Sequence, residues 1–267
     1  MAGAGLTMAD LIVALNNKGH HGPVVVLSRH GRLPMPHTPI TGRSWEFTDL
    51  PSPPYTVIEL FRYIRSQVER ARAMGVELQE VFNALRPHGQ AWWRGMSYLE
   101  RSRFLRHVRN LWDIHRHRIP PQIHQLLHQL IDAGRLQLIA GHITEVKALG
   151  ERLNVSWRSH GVTDHAAFDH VVNCTGPQHD SCRLNQPLLR DLLEQGLATC
   201  DPLGIGLQLS AEGQLIGTDG KLTAGLYAIG PMRKAMLWET TAVKEISEQA
   251  VSLADRLVGE LAARTIA

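Results

Sequence analysis

The stretch that most restricts what this chain can become is its opening, residues 2–31, AGAGLTMADLIVALNNKGHHGPVVVLSRHG. Gly3-Ala4-Gly5 is a tight glycine turn. Leu6 to Lys18 is a mostly apolar run that stops at Gly19, the mark of a helix with a glycine terminator. Pro23 to Leu27 is β-branched, as a buried strand is, and Ser28-Arg29-His30-Gly31 leaves its end. Turn, helix and strand follow in the order of a βαβ unit that holds a dinucleotide.

The physics of the turn favours a phosphate. Two glycines let the backbone approach a pyrophosphate, and a helix N-terminus offers free N–H groups and the positive end of its dipole. Leu6 and Thr7 stand at that N-terminus, where the Thr7 hydroxyl extends the cradle. The usual third glycine falls at Met8, so the helix is expected to sit differently on its sheet. Arg29 follows the strand. An acidic residue there accepts from a ribose 2′-OH, whereas an arginine suits a 2′-phosphate, which reads as NADP in preference to NAD. The competing reading is a bare tight turn. One part is missing: such a turn follows a strand, and only Met1 and Ala2 precede it. The expectation is that the chain borrows this strand or begins partway through a larger protein.

The remaining 236 or so residues divide by period. Residues 32–55 are Pro-rich and read as a long connecting loop, with His37 as a solvated histidine or a site residue. Residues 56–74 are helical, with Val57, Leu60, Phe61, Ile64, Val68 and Ala71 on one face. A short helix is expected from Leu78 to Leu85, and another over 97–112, where Ser97 and Glu100 have capping-box spacing. Pro120-Pro121 opens a helix that stops at Gly134. Beyond Gly134 the period becomes two. Leu136–Ala140, His142–Leu149, Arg152–Arg158 and Ala167–Cys174 read as strands, followed by short strands at 205–209, 215–216 and 226–229. A long helix is expected from Thr240 to Leu261.

Composition narrows the class. With 43% hydrophobic and 20% charged residues the chain suits a soluble globular protein of one large or two modest domains. No run of eighteen apolar residues suggests a membrane helix, and no basic-then-apolar leader suggests secretion. Cys174, Cys182 and Cys200 are scattered with no C-x-x-C, which indicates neither a zinc knuckle nor a redox dithiol and leaves a cytoplasmic location as the expectation. Residues 101–118, RSRFLRHVRNLWDIHRHR, are strongly basic, but without aromatic interleaving or a recognisable module no nucleic-acid partner is assigned. His124 and His128 share a helix face one turn apart; no acidic residue or cysteine joins them in the sequence nearby, so no metal site is assigned.

Two further segments carry chemistry. Phe168 to Asp180, FDHVVNCTGPQHD, is a strand running into Thr175-Gly176-Pro177, the kind of exit where open α/β sheets bind ligands. Gly225 to Gln249 is a short apolar strand ending at Gly230-Pro231, then a loop, then Trp238-Glu239-Thr240-Thr241 at a helix start. Glu239 and the threonines suit capping as well as anion binding.

Together, Gly3–Thr7, Asn173–Gly176 and the Tyr227–Val243 segment resemble the flavoproteins with two dinucleotide-binding domains. The specific resemblance is to the bacterial FAD/NAD(P)-binding oxidoreductases related to flavin monooxygenases and amino-acid N-hydroxylases. It implies an α/β fold: a Rossmann-like nucleotide-binding domain with a helical insertion and the C-terminal part of a second, FAD-type domain. Its boundaries would be 1–50 for the NAD(P)-binding start, 51–134 for the insertion, 135–172 for the remainder of that domain, and 173–267 for the FAD-type part. The resemblance implies cofactor contacts at Gly3, Gly5, Leu6, Thr7 and Arg29, at Thr175 and Gly176, and at Gly230, Pro231, Trp238, Glu239 and Thr240. It also implies an active-site or cofactor role for His115, Arg116 and Arg118. Where the family often has an aspartate on the ribityl chain this sequence has Pro231, so that contact is not assigned to a side chain. The family's first, FAD-binding glycine motif has no counterpart upstream, and the sequence looks like the latter part of such an enzyme.

The expectation is therefore an FAD- and NADP- (or NAD-) dependent oxidoreductase passing a hydride from nicotinamide to flavin and on to O₂ or another acceptor. Its partners would be a small-molecule substrate and a companion chain carrying the FAD motif. No catalytic side chain is assigned, because the cofactors carry such chemistry. The alternatives are a non-catalytic nucleotide- or partner-binding remnant of such a flavoprotein and, third, a metal-binding helical protein.

Overall fold

The glycine turn does follow a strand, one only two residues long. In a computed structural model that describes residues 1–39, 43–178 and 180–266, Ala2 bridges in parallel to Leu27 on one side and to Asn173 on the other. Side chains are described for all of these but residue 181 and residues 263–266. The Leu27 N–H donates to Met1 O (2.9 Å) and the Gly3 N–H to Leu27 O (2.7 Å). On the other side the Ala2 N–H donates to Val172 O (2.9 Å) and the Cys174 N–H to Ala2 O (2.7 Å). Two residues suffice because both edges of the short segment are paired, leaving no backbone donor stranded.

The chain resolves into two compact units. The first comprises residues 1–45, 71–82 and 105–177; the second comprises 46–70, 83–104 and 178–267. Three of the dividing lines, at 70/71, 82/83 and 104/105, fall inside helices; the other two, at 45/46 and 177/178, fall in loops.

Unit 1 begins with α1 (Leu6–Asn17) and β1 (Val24–Ser28). Between them Gly19 takes φ +73° and ends the helix. The chain returns through α2 (Val57–Ala73), α3 (Leu78–Gly95), α4 (Tyr98–His107), α5 (Arg109–Arg116) and α6 (Pro121–Asp132) to β2 (Leu136–Ala140). β1 and β2 pair in parallel, Val24 with Leu136 through Ser28 with Ala140. The parallel order is thus β2, β1, Met1–Ala2, then Val172–Cys174. Met8, Ala9 and Ile12 of α1 pack on Val26, Leu127, Leu130, Leu136 and Cys174. The large Met8, fully buried, fills the space that the usual third glycine leaves to a close helix–strand approach. Next come β3 (His142–Leu149), β4 (Arg152–Ser159) and β5 (Val162–Phe168), an antiparallel meander. Val155 and Trp157 of β4 pack against Leu27.

Unit 2 adds α7 (Pro187–Glu194), the hairpin β6 (Gln214–Ile216) and β7 (Leu222–Tyr227), and α8 (Val243–Ile266). Leu189, Ala198, Leu207, Leu209 and Leu215 form one of its core clusters. Cys182 and Cys200 are joined in a disulfide, Cα–Cα 6.1 Å, a pairing their wide spacing in the sequence did not suggest. Among the described residues no helix is long and apolar enough to cross a membrane.

Several expected elements shift, each for a physical reason. The helix expected to stop at Leu85 continues to Gly95 through Pro87. Val81, Leu85, Trp92 and Trp93 are all buried along it, and that apolar area outweighs the roughly 3 kcal/mol an internal proline costs. The helix expected over 97–112 breaks at Val108 into α4 and α5. Ser97 Oγ does accept from the Glu100 N–H (3.3 Å), but the Glu100 carboxylate turns away to the Val57 N–H (2.8 Å), so only half of the capping box forms. The run expected as one strand, Ala167–Cys174, is divided: its start closes β5 on the meander and its end joins Ala2 in the parallel set. The helix expected from Thr240 begins at Val243. Residues 40–42 of the Pro-rich loop and residue 179 of the strand exit lie outside the described residues.

Candidate functional site

Parallel pairing aligns strand ends, so the C-terminal edge of the unit 1 sheet gathers three loops. Gly3 to Thr7 leaves the Met1–Ala2 strand, Arg29 and His30 leave β1, and Thr175-Gly176 leaves the Val172–Cys174 segment. Five residues named from the sequence as cofactor contacts, Gly3, Gly5 and Arg29 for the nicotinamide dinucleotide and Thr175 and Gly176 for the flavin, therefore lie on one edge, with Leu6 and Thr7 at the start of the helix between them.

The two glycines do different jobs. Gly3 has φ +101°, and a Cβ built on it would lie 2.7 Å from the Cys174 carbonyl carbon and nearer still to its oxygen. It is glycine because the neighbouring strand passes directly beside it. Gly5 is the N-cap of α1 at φ −92° and ψ −160°, and a Cβ there meets nothing within 4 Å. No side chain caps this helix and its first turn holds no acidic residue. The exposed Gly5, Leu6 and Thr7 thus front an N-terminus whose first N–H groups have no side-chain acceptor, which is the arrangement an anion completes.

Across the edge, Asn173 shapes the second loop. Its Oδ1 accepts from the Thr175 N–H (3.0 Å) and from the Thr175 hydroxyl (2.7 Å). The Thr175 side chain is therefore held to Asn173, while Gly176, at φ +83°, has open space where a side chain would be. Asn173 was named from the sequence only as the start of the Asn173–Gly176 segment, with no contact of its own; its place two residues before Thr175 is an Asx-turn signal.

Positive charge lines the third loop. Burial, then Arg29 and Arg32, push the His30 imidazole below its ordinary value. Burial, then Arg118 and Arg32, do the same to His115. Arg32 therefore acts on both rings, and the loop that carries it is strapped to the end of α5. The Met35 N–H donates to Ile114 O (3.0 Å) and the Ile119 N–H to Met35 O (3.0 Å). His115 itself stacks on Phe82 with ring centres 4.3 Å apart and planes at 17°. Arg118 Nε donates to the His115 carbonyl at 2.6 Å, and Arg116 is half-buried beside it in sequence. Arg32 was not singled out; its signal is an arginine three residues beyond Arg29 in the same strand exit.

The other named residues, Gly230, Pro231, Trp238, Glu239 and Thr240, belong to unit 2. Gly230 is buried at φ +75°, its N–H donating to Gln249 Oε1 (2.9 Å) and its carbonyl accepting from Thr240 Oγ1 (3.0 Å). Gln249 Nε2 closes the ring by donating to Thr240 Oγ1 (2.7 Å). Thr240 is fully buried, so its hydroxyl is committed to holding the loop. Trp238 is a core residue, with ring centres 4.9 Å from both Trp93 and Phe104 and Lys234 Nζ 5.0 Å above it. Gln90 ties the loop from below: its Oε1 accepts from the Trp238 N–H (3.1 Å) and its Nε2 donates to Glu239 O (2.8 Å). Pro231 is exposed and Glu239 half-buried.

No family model matches this chain, and no curated protein matches it. Solved structures do. The Kutzneria sp. 744 ornithine N-hydroxylase KtzI, in a complex with reduced FAD, NADP+ and L-ornithine, overlays 97% of the chain at TM-score 0.56 and 13% identity. The chain has the fold of ornithine N-hydroxylases over part of their length. The reduced form of the Pseudomonas aeruginosa ornithine hydroxylase PvdA overlays 97% of it at TM-score 0.56 and 16% identity. A second PvdA structure gives TM-score 0.55 and 14% identity. The chain spans about half the length of these enzymes, 52–53%. The likeness at this identity is one of fold.

Proposed function

We propose that unit 1 is a Rossmann-like nucleotide-binding unit that takes NADPH at the edge formed by Gly3–Thr7, Arg29 and Thr175-Gly176, within an FAD- and NAD(P)H-dependent oxidoreductase. The observation that carries the reading is the uncapped α1 N-terminus facing open space at that edge. The parallel order β2, β1, Met1–Ala2, Val172–Cys174 has the order of half a doubly wound sheet. The backbone N–H groups of α1 would hold the pyrophosphate, and Arg29 with Arg32 would pair with a 2′-phosphate. The hydroxylase neighbours support FAD as the second cofactor, with residues of the Gly230–Thr240 loop among its contacts. The chemistry would be hydride transfer from reduced nicotinamide to flavin and onward to O₂ or another acceptor. A small molecule would be the substrate, and a companion chain carrying an FAD glycine motif would supply the adenine-nucleotide cradle.

A second reading, nucleotide binding without turnover, is favoured by one observation. In the Gly230–Thr240 loop the Trp238 ring and the Thr240 hydroxyl are spent on internal contacts. One experiment tests both. The purified chain is titrated with NADPH by calorimetry, and its visible spectrum and NADPH oxidation are followed with added FAD. Saturable NADPH binding with flavin-dependent oxidation supports the enzyme; binding without oxidation supports the second reading. A chain that ignores NADPH at millimolar concentration ends both.

A further inference from the structure

Away from the sheet edge, α6 carries two histidines one turn apart. Their Nε2 atoms are 3.2 Å apart. Their ring centres are 4.4 Å apart and their planes meet at 51°, so the rings lean together at their Nε2 tips. His128 is exposed and His124 half-buried. Leu127 and Leu130 hold the helix on the unit 1 core, which fixes the backbone from which both rings project.

That tip separation is the bite of a chelate. With metal–nitrogen bonds of about 2.0–2.1 Å, two imidazole nitrogens at 90° to tetrahedral angles sit roughly 2.9–3.4 Å apart. Residues i and i+4 on a helix stand over one another, so no backbone movement is needed to reach it. We propose that α6 binds one borderline divalent transition-metal ion, Cu²⁺, Ni²⁺ or Zn²⁺, through Nε2 of His124 and Nε2 of His128. Imidazole pairs suit these ions and leave Mg²⁺ and Ca²⁺, which want oxygen donors, unbound. Among the described residues no group of three His, Cys, Asp or Glu side chains surrounds the pair, so the remaining coordination positions fall to water or an external donor. Such an open site binds the folded helix and not the unfolded chain, so the ion ties consecutive turns of α6 and stabilises unit 1. The inference stands apart from the nucleotide reading, since it rests on a different face of different residues.

The test uses the full-length, tag-free chain with NiCl₂ and with ZnCl₂, by calorimetry and thermal unfolding. The expected result is one saturable equivalent and a rise in melting temperature with the ion. His124→Ala and His128→Ala should each weaken binding at least tenfold and abolish the rise. His21→Ala, an exposed histidine elsewhere among the 15, should leave both unchanged. His128 is exposed, so its replacement leaves the core intact and the test does not depend on the folding of His124→Ala. Wild-type affinity in His128→Ala, which would place the ion elsewhere, overturns the proposal. So does the absence of saturable Ni²⁺ binding in the wild type.

Discussion

Replacing Gly3 by alanine tests the whole arrangement of the sheet edge. Two costs are separable. At φ +101° an L side chain is strained by about 1–3 kcal/mol. The new methyl would also stand 2.7 Å from the Cys174 carbonyl carbon and 3.0 Å from the Thr175 nitrogen. Both are backbone atoms of a paired segment, so no side chain can swing aside, and relief requires prising Val172–Cys174 from Ala2. Overpacking of that kind costs about 1–3 kcal/mol. The sum, about 2–6 kcal/mol, is a large share of the 5–15 kcal/mol that holds a typical protein together. At about 2–4 °C per kcal/mol for a chain of this size it lowers the melting temperature by roughly 4–24 °C. Circular dichroism measures the shift, and hydrogen exchange gives its location. The Cys174 amide, which donates to Ala2 O, should exchange much faster in Gly3→Ala than in wild type. The control is Gly5→Ala, where the backbone is extended and a Cβ meets nothing, with an expected change under about 1 kcal/mol. Equal effects at the two glycines, or Gly3→Ala within about 0.5 kcal/mol of wild type, would refute the reasoning.

Three further outcomes follow from other sites. Gly5→Asp places a favoured cap and a negative charge on the α1 N-terminus, so it should raise stability by about 1 kcal/mol while weakening NADPH binding at least tenfold; tight NADPH binding in this variant would remove the phosphate from that turn. Thr240→Val keeps the shape of a fully buried residue but strands the Gly230 carbonyl and the Gln249 amide, and should cost about 2–4 kcal/mol in urea unfolding, against under about 1.5 kcal/mol for Thr240→Ser. The Glu100 carboxylate accepts from the Val57 N–H and pairs with Arg103, which together hold its pKa below the ordinary value despite burial. A depressed folded pKa gives stability that is present above the unfolded value of about 4.3 and is lost as pH falls through the folded one. Glu100→Gln should accordingly be less stable than wild type at pH 7 and close to it at pH 3. A gap that widens towards acid would mean the sign is wrong.

Local signals were legible along the chain wherever one segment's own pattern decided its structure. Gly19 and Gly134 end helices where expected, Pro121 opens α6, and β2, β3 and β4 start at the residues expected from the period of two. The same reading failed wherever a distant partner decided. Pro87 seemed to end a helix because its cost is local, while the burial of Trp92 and Trp93 that offsets it is tertiary. Ala167–Cys174 looked like one strand because its apolar run is continuous, yet β4 pairs with its start and Ala2 with its end. The site shows the same division. Gly3, Arg29 and Thr175 could be named individually; Arg32 was passed over, since only the fold brings it within electrostatic reach of both His30 and His115.

The amino-acid order alone settled the composition of the opening unit: a glycine turn, an apolar helix and a β-branched strand, whose identities follow from steric freedom and side-chain period within a few residues. Tertiary structure decided how those pieces pack. It made a strand of Met1 and Ala2 by pairing both of their edges, and it assigned Gly3 to strand packing and Gly5 to open space. It also spent Thr240 and Trp238 on holding their own loop. The reason is physical: a residue's conformational range is written in its own covalent structure, whereas which polar groups remain unsatisfied and which surfaces remain open depends on contacts between segments far apart in the chain.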